Sequence, residues 1–383
     1  LLEKGLLPNE MGWFPDKITK EIDLIILGMH ARKDNPELLK AQELGLKIMS
    51  FPEFIYEHSI NKTRIVIAGS HGKTTTTAML MHVFKSLNID FDYLVGSQIT
   101  GFQYMVRLSN APYIIIEGDE YLTSPIDPKP KFLWYKPHYA IITGIAWDHI
   151  NVFPTLEIYH HQFKLFLDSM QPQSPLVWYS GDSTLRDLMR DSDLKSIPYQ
   201  ELNSETINNN CYLIKSGGGQ LKSKLFGNHN LQNMSAVLNL TIELGLDPDL
   251  VLEALAEFPG TARRLELIQE SNNIKVYRDF AHSPSKLKAT LEAVVNQFKT
   301  AHIIPVYELH TFSSLNENFL NEYKGSMDSA KQAIVFFNPA VFEWKKMPAL
   351  DPQKVGEAFG SNTQIINNSK ELKDLILNSI KGN

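Results

Sequence analysis

Runs of consecutive apolar residues dominate the first half of the chain. Runs without polar alternation are typical of parallel strands that are buried on both faces. They occupy residues 22–28, 46–50, 64–68, 113–117 and 139–143. Segments with helical features lie between them, such as residues 34–45, which begin with an Asn-Pro pair and end on a glycine, and residues 78–87. The pattern predicts an α/β fold with a parallel sheet covered by helices.

The same alternation continues in the last third of the chain. Strands are predicted over residues 274–277, 301–306 and 333–337, with a helix over 285–298. We therefore predict three domains, a Rossmann-like domain over 1–60, a central domain over 61–260 and a second Rossmann-like α/β domain over 261–383. The first strand and glycine-rich turn that normally open a Rossmann-like domain are not visible, which predicts an incomplete amino-terminal domain.

The amino-acid composition favours a globular enzyme over a nucleic-acid-binding or membrane protein. The 383 residues are 43% hydrophobic and 21% charged, which is typical of a globular enzyme. The net charge of −6 argues against a nucleic-acid-binding protein. The single cysteine, Cys211, excludes an internal disulfide and a cysteine zinc site. No apolar run approaches the roughly 20 residues that cross a bilayer, and the first residues do not resemble a signal peptide. These features predict a cytoplasmic protein without membrane insertion.

The strongest chemical signal follows the apolar run 64–68. It is the segment Gly69-Ser70-His71-Gly72-Lys73-Thr74, which leads into a helix. A strand, a glycine-rich turn and a helix amino terminus present several backbone N–H groups to one anion. Lys73 can reach the outer phosphates of a nucleotide, and the Thr74 hydroxyl can ligate magnesium. The usual spacing requires a glycine where Ile67 stands, so a structural turn with a surface lysine is the alternative.

Five further segments carry polar side chains at predicted strand or helix ends or at a domain junction. They are Glu117-Gly118-Asp119-Glu120, Trp147-Asp148-His149, Gly227 to Asn233 with Asn230 and Asn233 three apart, and Arg263-Arg264 followed by Asp279-Phe280-Ala281-His282. Carboxylates at the carboxyl edge of a parallel sheet suit magnesium beside a nucleotide. Amides can pair with adenine, and arginines can bind phosphate. Each segment alone is equally compatible with solvated surface, a helix cap or a turn.

The order of these segments is more specific than any one of them. From about residue 20 onward the chain resembles the Mur ligases, in which a short phosphate loop, an acidic strand end, Asp-His, His-Asn-x-x-Asn, a double arginine and Asp-Phe-Ala-His follow one another. The phosphate loop of that family lacks the early glycine, as this chain does at Ile67. The resemblance implies an ATP-dependent ligase that activates a carboxylate as an acyl phosphate and joins it to an amine.

The resemblance also implies a role for each matching residue. Lys73, Glu120 and His149 are implied as catalytic residues, and Thr74, Glu120 and His149 as magnesium ligands. The implied ATP-binding residues are Gly69, Ser70, His71, Gly72, Lys73, Thr74, Thr75, Asn230, Asn233, Arg264 and Asp279. The cofactors implied are ATP and Mg²⁺. Lys164 lies where some members of the family carry a carbamylated lysine, a modification for which the branches considered below are not known.

Two branches of the family compete for the amine substrate. Glu120-Tyr121-Leu122-Thr123, followed by Lys131-Phe132, resembles enzymes that add the tripeptide L-alanyl-γ-D-glutamyl-meso-diaminopimelate to UDP-N-acetylmuramate in peptidoglycan recycling. The alternative is the branch that adds L-alanine to the same acceptor. Leu122, Arg278 and Ser283 depart from the tripeptide pattern, and we expect these departures to affect amine specificity more than ATP chemistry.

Two other classes remain as alternatives. An ordinary P-loop NTPase or kinase would share the phosphate loop, but the missing glycine at position 67 counts against it. A nucleotide-binding regulator that has lost turnover would share all the motifs. ATP hydrolysis without a muramyl acceptor would indicate the first class, and ATP binding without turnover would indicate the second.

Overall fold

The computed structural model describes residues 10–147, 152–261, 264–271 and 274–381. The chain divides into two compact units, a first unit of Leu1–Gln200 with Ser235–Val251 and a second unit of Glu201–Met234 with Leu252–Asn383. The division into three domains at residues 60 and 260 stays a prediction. Among the helices described, none is long and apolar enough to cross a membrane.

The first unit contains strands, helices and two short 3-10 helices in alternation. Its strands are β1 (Ile25–Leu27), β2 (Ile48–Ser50), β3 (Thr63–Ala68), β4 (Phe91–Leu94), β5 (Val106–Arg107), β6 (Tyr113–Glu117), β7 (Leu122–Ser124), β8 (Asp127–Pro130), β9 (Tyr139–Ile142), β10 (Pro175–Tyr179) and β11 (Lys195–Tyr199). Its helices are α1 (Pro36–Glu43), α2 (Phe51–Glu57), α3 (Lys73–Ser86), α4 (Leu156–Asp168) and α5 (Ser183–Arg190). The 3-10 helices are Pro15–Lys17 and Lys131–Trp134.

Among the residues that the structure describes, the second unit has three small sheets and its own helices. Its strands are β12 (Ser204–Ile207), β13 (Asn210–Ile214), β14 (Gln220–Ser223), β15 (Glu266–Ser271), β16 (Ile274–Arg278), β17 (Val306–Glu308), β18 (Ala333–Phe336) and β19 (Thr363–Ile366). Its helices are α8 (Pro284–Gln297), α9 (Ala340–Lys345), α10 (Pro352–Phe359) and α11 (Ser369–Lys381), with a 3-10 helix at Glu317–Tyr323. One boundary between the units lies between Gln200 and Glu201, and the other two fall within α6 (Asn228–Glu243) and α7 (Pro248–Ala256).

A seven-stranded sheet forms the centre of the first unit. Its strand order is β11-β10-β9-β3-β6-β4-β5, and every neighbouring pair is parallel except β4 with β5. Ile65, Val66 and Ile67 of β3 are fully buried, because helices cover both faces of such a sheet. The chain crosses from one side of β3 to the other between β6 and β9. The carboxyl ends of β9, β3 and β6 therefore meet at a switch point, where α/β proteins bind ligands.

The helix that follows β3 begins where the phosphate loop ends. Gly72, with φ +83°, is the N-cap, and α3 runs from Lys73 to Ser86. The helix predicted over 78–87 therefore begins five residues earlier than the sequence indicated. Residues 75–81 of α3 are all buried. A helix that is apolar or buried on every side belongs to the interior of a unit, so the loop at its amino terminus rests on a rigid support.

The second unit has its own core, around the three parallel strands β17, β18 and β19. Tyr307, Tyr323 and Phe359 pack together there, with ring centroids of Tyr323 and Phe359 4.7 Å apart. The strand predicted over 301–306 was placed wrongly, since β17 starts only at Val306. Pro305 has no amide hydrogen to donate to a ladder, and its carbonyl accepts one bond from the Ile334 amide, 2.9 Å away.

Candidate active site

The phosphate loop has the shape that the sequence predicts. Gly69 has φ +119° and Gly72 has φ +83°, both in the left-handed region that favours glycine. A side chain at position 69 would also overlap Thr143, because an added Cβ lies 2.8 Å from the Thr143 amide nitrogen and 3.0 Å from the Gly144 carbonyl oxygen. The glycines thus let the backbone turn directly into the amino terminus of α3, which is a site for anions.

The loop that follows β9 holds the phosphate loop in place. The Ser70 amide donates to the Gly144 carbonyl at 2.9 Å, and the Ala146 amide donates to Ser70 Oγ at 2.9 Å. The Thr143 hydroxyl donates to the carbonyl of His71 and, at 3.2 Å, to that of Ala68. Because these carbonyls and amides belong to the loops after two neighbouring strands, the pairing of β3 with β9 sets the shape of the phosphate loop.

Three carboxylates follow one another at the end of β6, and each has a different partner. Glu117 accepts from the Thr74 hydroxyl at 2.6 Å and from the Gly96 amide at 2.8 Å. Glu120 is fully buried and accepts from the Lys73 ammonium, whose Nζ is 2.8 Å from Oε2 and 3.1 Å from Oε1. Asp119 accepts from Lys131 Nζ at 2.5 Å. The predicted acidic cluster therefore does lie against the phosphate loop.

Two residues of this site were not assigned roles by sequence reasoning. Glu117, rather than Glu120, contacts Thr74. The sequence feature that could have identified Glu117 is its position as the last residue of β6, the strand next to β3. Tyr159 of α4 is fully buried, and its hydroxyl lies 2.8 Å from Ser70 Oγ and 3.2 Å from Glu120 Oε1. No local pattern marks Tyr159, since it is 39 residues from Glu120.

Tyr135 lies deep below the carboxylates. Burial raises the pKa of its phenol well above the ordinary value, and the negative charges of Asp119 and Glu117 raise it further. The phenol is therefore neutral at every physiological pH, and it contributes packing to the floor of the site rather than charge.

The remaining predicted ATP-binding residues lie in the second unit. Asn230 and Asn233 are both buried near the start of α6, and Asn230 Nδ2 donates to the Phe226 carbonyl at 2.8 Å. Asp279 accepts from the Leu265 amide at 2.6 Å and from the Thr290 hydroxyl at 3.1 Å. The Arg264 guanidinium lies 5.6 Å from the centroid of the exposed Phe280 ring.

Histidine 229 adds a titratable group to this part of the second unit. Burial lowers the pKa of His229 below its ordinary value, while the negative charge of Asp279 acts in the opposite direction. Arg278, which departs from the tripeptide pattern, pairs instead with Glu266 across the β15–β16 hairpin at 2.8 Å. The side chain at position 278 is therefore tied to β15.

The predicted metal ligands fall into two groups. Thr74 and Glu120 are among the described residues, whereas His149 lies outside them. Arg263, which was considered for phosphate binding and not as a metal ligand, also lies outside the described residues. No group of three or more His, Cys, Asp or Glu side chains with metal-binding geometry occurs in the described ranges. Lys164 is exposed on α4. Adjacent Thr74 and Glu117 oxygens nevertheless suit Mg²⁺, which is commonly bound by one or two protein oxygens together with substrate phosphates.

Known protein families match both halves of the chain. The model of the Mur ligase middle domain matches residues 67–241, and that of the Mur ligase glutamate ligase domain matches residues 263–382. The UDP-N-acetylmuramate–L-alanine ligase of Clostridium tetani is 31% identical over 320 residues, which cover 79% of this chain and 68% of that protein. The chain belongs to the Mur ligase family. The prediction of an ATP-dependent ligase that forms a carbon–nitrogen bond is thereby confirmed.

Solved structures agree with the fold of this Mur ligase. The UDP-N-acetylmuramate–alanine ligase of Thermotoga maritima matches with a TM-score of 0.70 and 24% identity, over 97% of this chain and 83% of that one. A second match is the UDP-N-acetylmuramate:L-alanyl-gamma-D-glutamyl-meso-diaminopimelate ligase of Neisseria meningitides. Its TM-score is 0.57 and its identity 25%, over 62% of this chain and 79% of that one. The predicted α/β architecture is confirmed. The tripeptide prediction is not confirmed, and the curated relatives support the L-alanine alternative better.

Proposed function

We propose that this Mur ligase joins UDP-N-acetylmuramate to L-alanine, using ATP and Mg²⁺, in the cytoplasm. The observation that carries the ATP chemistry is the Lys73 ammonium, which lies at the amino terminus of α3 and 2.6 Å from the Gly69 carbonyl. A lysine at this point of a phosphate loop can neutralise the outer phosphates of a nucleotide. The choice of acceptor and amine rests on the curated relatives, which are UDP-N-acetylmuramate–L-alanine ligases.

The reaction has two steps. The carboxylate of the muramyl group attacks the γ-phosphorus of ATP, which breaks the bond to the β-phosphate oxygen and gives ADP and an acyl phosphate. The amine then attacks the acyl carbon, phosphate leaves, and the amine nitrogen loses a proton. Catalysis of such steps is mainly positioning and electrostatic stabilisation. Backbone amides at the amino terminus of α3 and the Lys73 ammonium supply that stabilisation on the phosphate side.

A magnesium ion fits beside Thr74. When bound, it neutralises charge on the phosphates. The Thr74 hydroxyl and the Glu117 carboxylate are 2.6 Å apart and provide adjacent oxygen ligands, whereas Glu120 is buried and engaged by Lys73. We therefore propose Glu117 as a magnesium ligand beside Thr74, and Glu120 as a partner of Lys73. The magnesium role that the resemblance assigned to Glu120 stays a competing prediction, and so does that of His149.

Conservative amide variants separate these two assignments. Glu117→Gln is expected to raise the Mg²⁺ concentration for half-maximal ATP turnover by about tenfold or more, because it removes a charged ligand. Asp119→Asn, which alters the neighbouring carboxylate that binds Lys131, is the control and should change the Mg²⁺ requirement less than about twofold. A large Mg²⁺ shift in Glu120→Gln with none in Glu117→Gln would restore the original assignment.

The amine substrate is tested by phosphate release. Purified protein is given ATP, Mg²⁺ and UDP-N-acetylmuramate, and then L-alanine or the tripeptide L-alanyl-γ-D-glutamyl-meso-diaminopimelate. We expect phosphate release with L-alanine. Release that needs no acceptor would indicate an NTPase, and nucleotide binding without turnover on either amine would indicate a regulator.

The tripeptide remains a second candidate because of the segment after Glu120. Strands β7 and β8 form a hairpin that returns the chain to Lys131, and Lys131 pairs with Asp119 at the acidic strand end. The Trp134 indole donates to Asp127 of the same hairpin at 2.8 Å. The segment that resembles the tripeptide branch is thus folded against the site. Phosphate release with the tripeptide alone would favour this candidate over L-alanine.

A further inference from the structure

Tyr159 connects two parts of the nucleotide site through its hydroxyl. The residue lies in the first turn of α4 and is fully buried. Its Oη is 2.8 Å from Ser70 Oγ in the phosphate loop and 3.2 Å from Glu120 Oε1 at the acidic strand end. A buried hydroxyl is costly unless it is hydrogen-bonded, and here both contacts are with residues that surround Lys73.

The Ala146 amide, the Ser70 and Tyr159 hydroxyls and the Glu120 carboxylate form a series of hydrogen bonds, and the groups at its two ends fix the direction of the bonds between them. The Ala146 amide can only donate, and it donates to Ser70 Oγ. Glu120, paired with the Lys73 ammonium, can only accept. The Ser70 hydroxyl therefore donates to Tyr159, and the Tyr159 hydroxyl donates to Glu120. The Tyr159 hydroxyl has a single proton, and since that proton goes to Glu120, the Tyr159 oxygen is the acceptor in its bond with Ser70.

Glu120 in turn fixes the ammonium group. Both of its oxygens accept from Lys73 Nζ, which also donates to the Gly69 carbonyl at 2.6 Å. The Tyr159 bond goes to Oε1, the same oxygen that lies 3.1 Å from Nζ. A carboxylate that is held at one oxygen cannot rotate freely, so the position of Lys73 depends on a hydroxyl that lies on a different helix.

We propose that Tyr159 is a positioning residue of the ATP site, which acts on Lys73 through Glu120. Its side chain is fully buried, so its role is indirect and does not require contact with the nucleotide. Its hydroxyl holds the Glu120 carboxylate so that the ammonium of Lys73 stays at the mouth of the phosphate loop. The proposal rests on the proposed role of Lys73 in binding the phosphates of ATP.

The aromatic ring of Tyr159 has a separate, structural role. It packs against Phe153 and Phe163, with centroids 5.5 Å and 5.3 Å away. Tyr159→Phe keeps this packing and removes only the hydroxyl. Tyr323→Phe is a matched control, since Tyr323 is equally buried and its hydroxyl bonds to that of Tyr307 at 3.0 Å in the core of the second unit.

The test is a double-mutant cycle on nucleotide affinity. Binding of the non-hydrolysable analogue AMPPCP with Mg²⁺ is measured by calorimetry for the wild type, Tyr159→Phe, Glu120→Gln, the double variant and Tyr323→Phe. We expect Tyr159→Phe to weaken binding about tenfold, as for a hydrogen bond to a charged group. Added to Glu120→Gln, the same change should weaken binding less than about twofold, because residues of one network are not additive.

The outcomes separate this proposal from the proposed function. Wild-type affinity in Tyr159→Phe, or an equal loss with and without Glu120→Gln, would overturn the positioning role while leaving the ligase assignment intact. A wild-type protein that binds no AMPPCP would overturn both the positioning role of Tyr159 and the proposed ATP-dependent function. Thermal melting of Tyr159→Phe and Tyr323→Phe is compared alongside, and a loss of affinity in Tyr323→Phe as large as in Tyr159→Phe would also contradict the proposal.

Discussion

Lys73→Met is expected to lower ATP-dependent phosphate release by at least about 10²–10³-fold, the loss typical of removing one electrostatic stabiliser of a transition state. The ammonium of Lys73 is the part of this side chain that can neutralise charge on the transferred phosphoryl group. Methionine keeps most of the length of the side chain but carries no charge. The measurement is the rate of phosphate release with the acceptor and amine that support turnover in the wild type.

The same variant is expected to lose stability for a second reason. Glu120 is fully buried, and removal of Lys73 leaves its carboxylate without the cation, a change that typically costs about 3–5 kcal/mol. The double variant Lys73→Met/Glu120→Gln removes both charges and should melt closer to the wild type, yet remain inactive. Recovery of turnover in the double variant would mean that Lys73 acts on stability alone and not on ATP.

Gly69→Ala is the second change with a large expected effect. The backbone there has φ +119°, and the new methyl group would meet the backbone of Thr143 and Gly144. These atoms belong to the loop after β9 and cannot move aside as a flexible side chain can. We expect a loss of at least about 2 kcal/mol in the free energy of unfolding, from strain and overlap together, and loss of nucleotide binding.

Alanine substitutions at two other glycines separate the cost of backbone strain from the cost of steric overlap. Gly45 has φ +66° but nothing within 4 Å of an added Cβ, so Gly45→Ala should cost about 1–2 kcal/mol from strain alone. Gly217 has neither a positive φ nor a close neighbour, and Gly217→Ala should stay within about 0.5 kcal/mol of the wild type. Denaturant unfolding of the three variants gives the comparison. A Gly69→Ala variant no less stable than Gly45→Ala would refute the overlap.

Sequence reasoning succeeded where the signal is local. The apolar runs at 64–68 and 113–117 became β3 and β6 within one residue at each end, because a fully buried strand needs consecutive apolar side chains. The glycine turn and the start of α3 follow from residues that are adjacent in the chain. The same reasoning misplaced the strand near 301–306, where Pro305 interrupts an apolar run.

The amino-acid sequence by itself thus determined the α/β class, the phosphate loop and the presence of carboxylates at a neighbouring strand end. Only the tertiary structure decided which carboxylate meets which side chain, pairing Glu117 with Thr74 and Glu120 with Lys73. It also brought Tyr159 into the site from α4. The physical reason is that these contacts depend on the order of strands in the sheet and on the turn after Glu117. Neither is encoded in the spacing of residues along one segment.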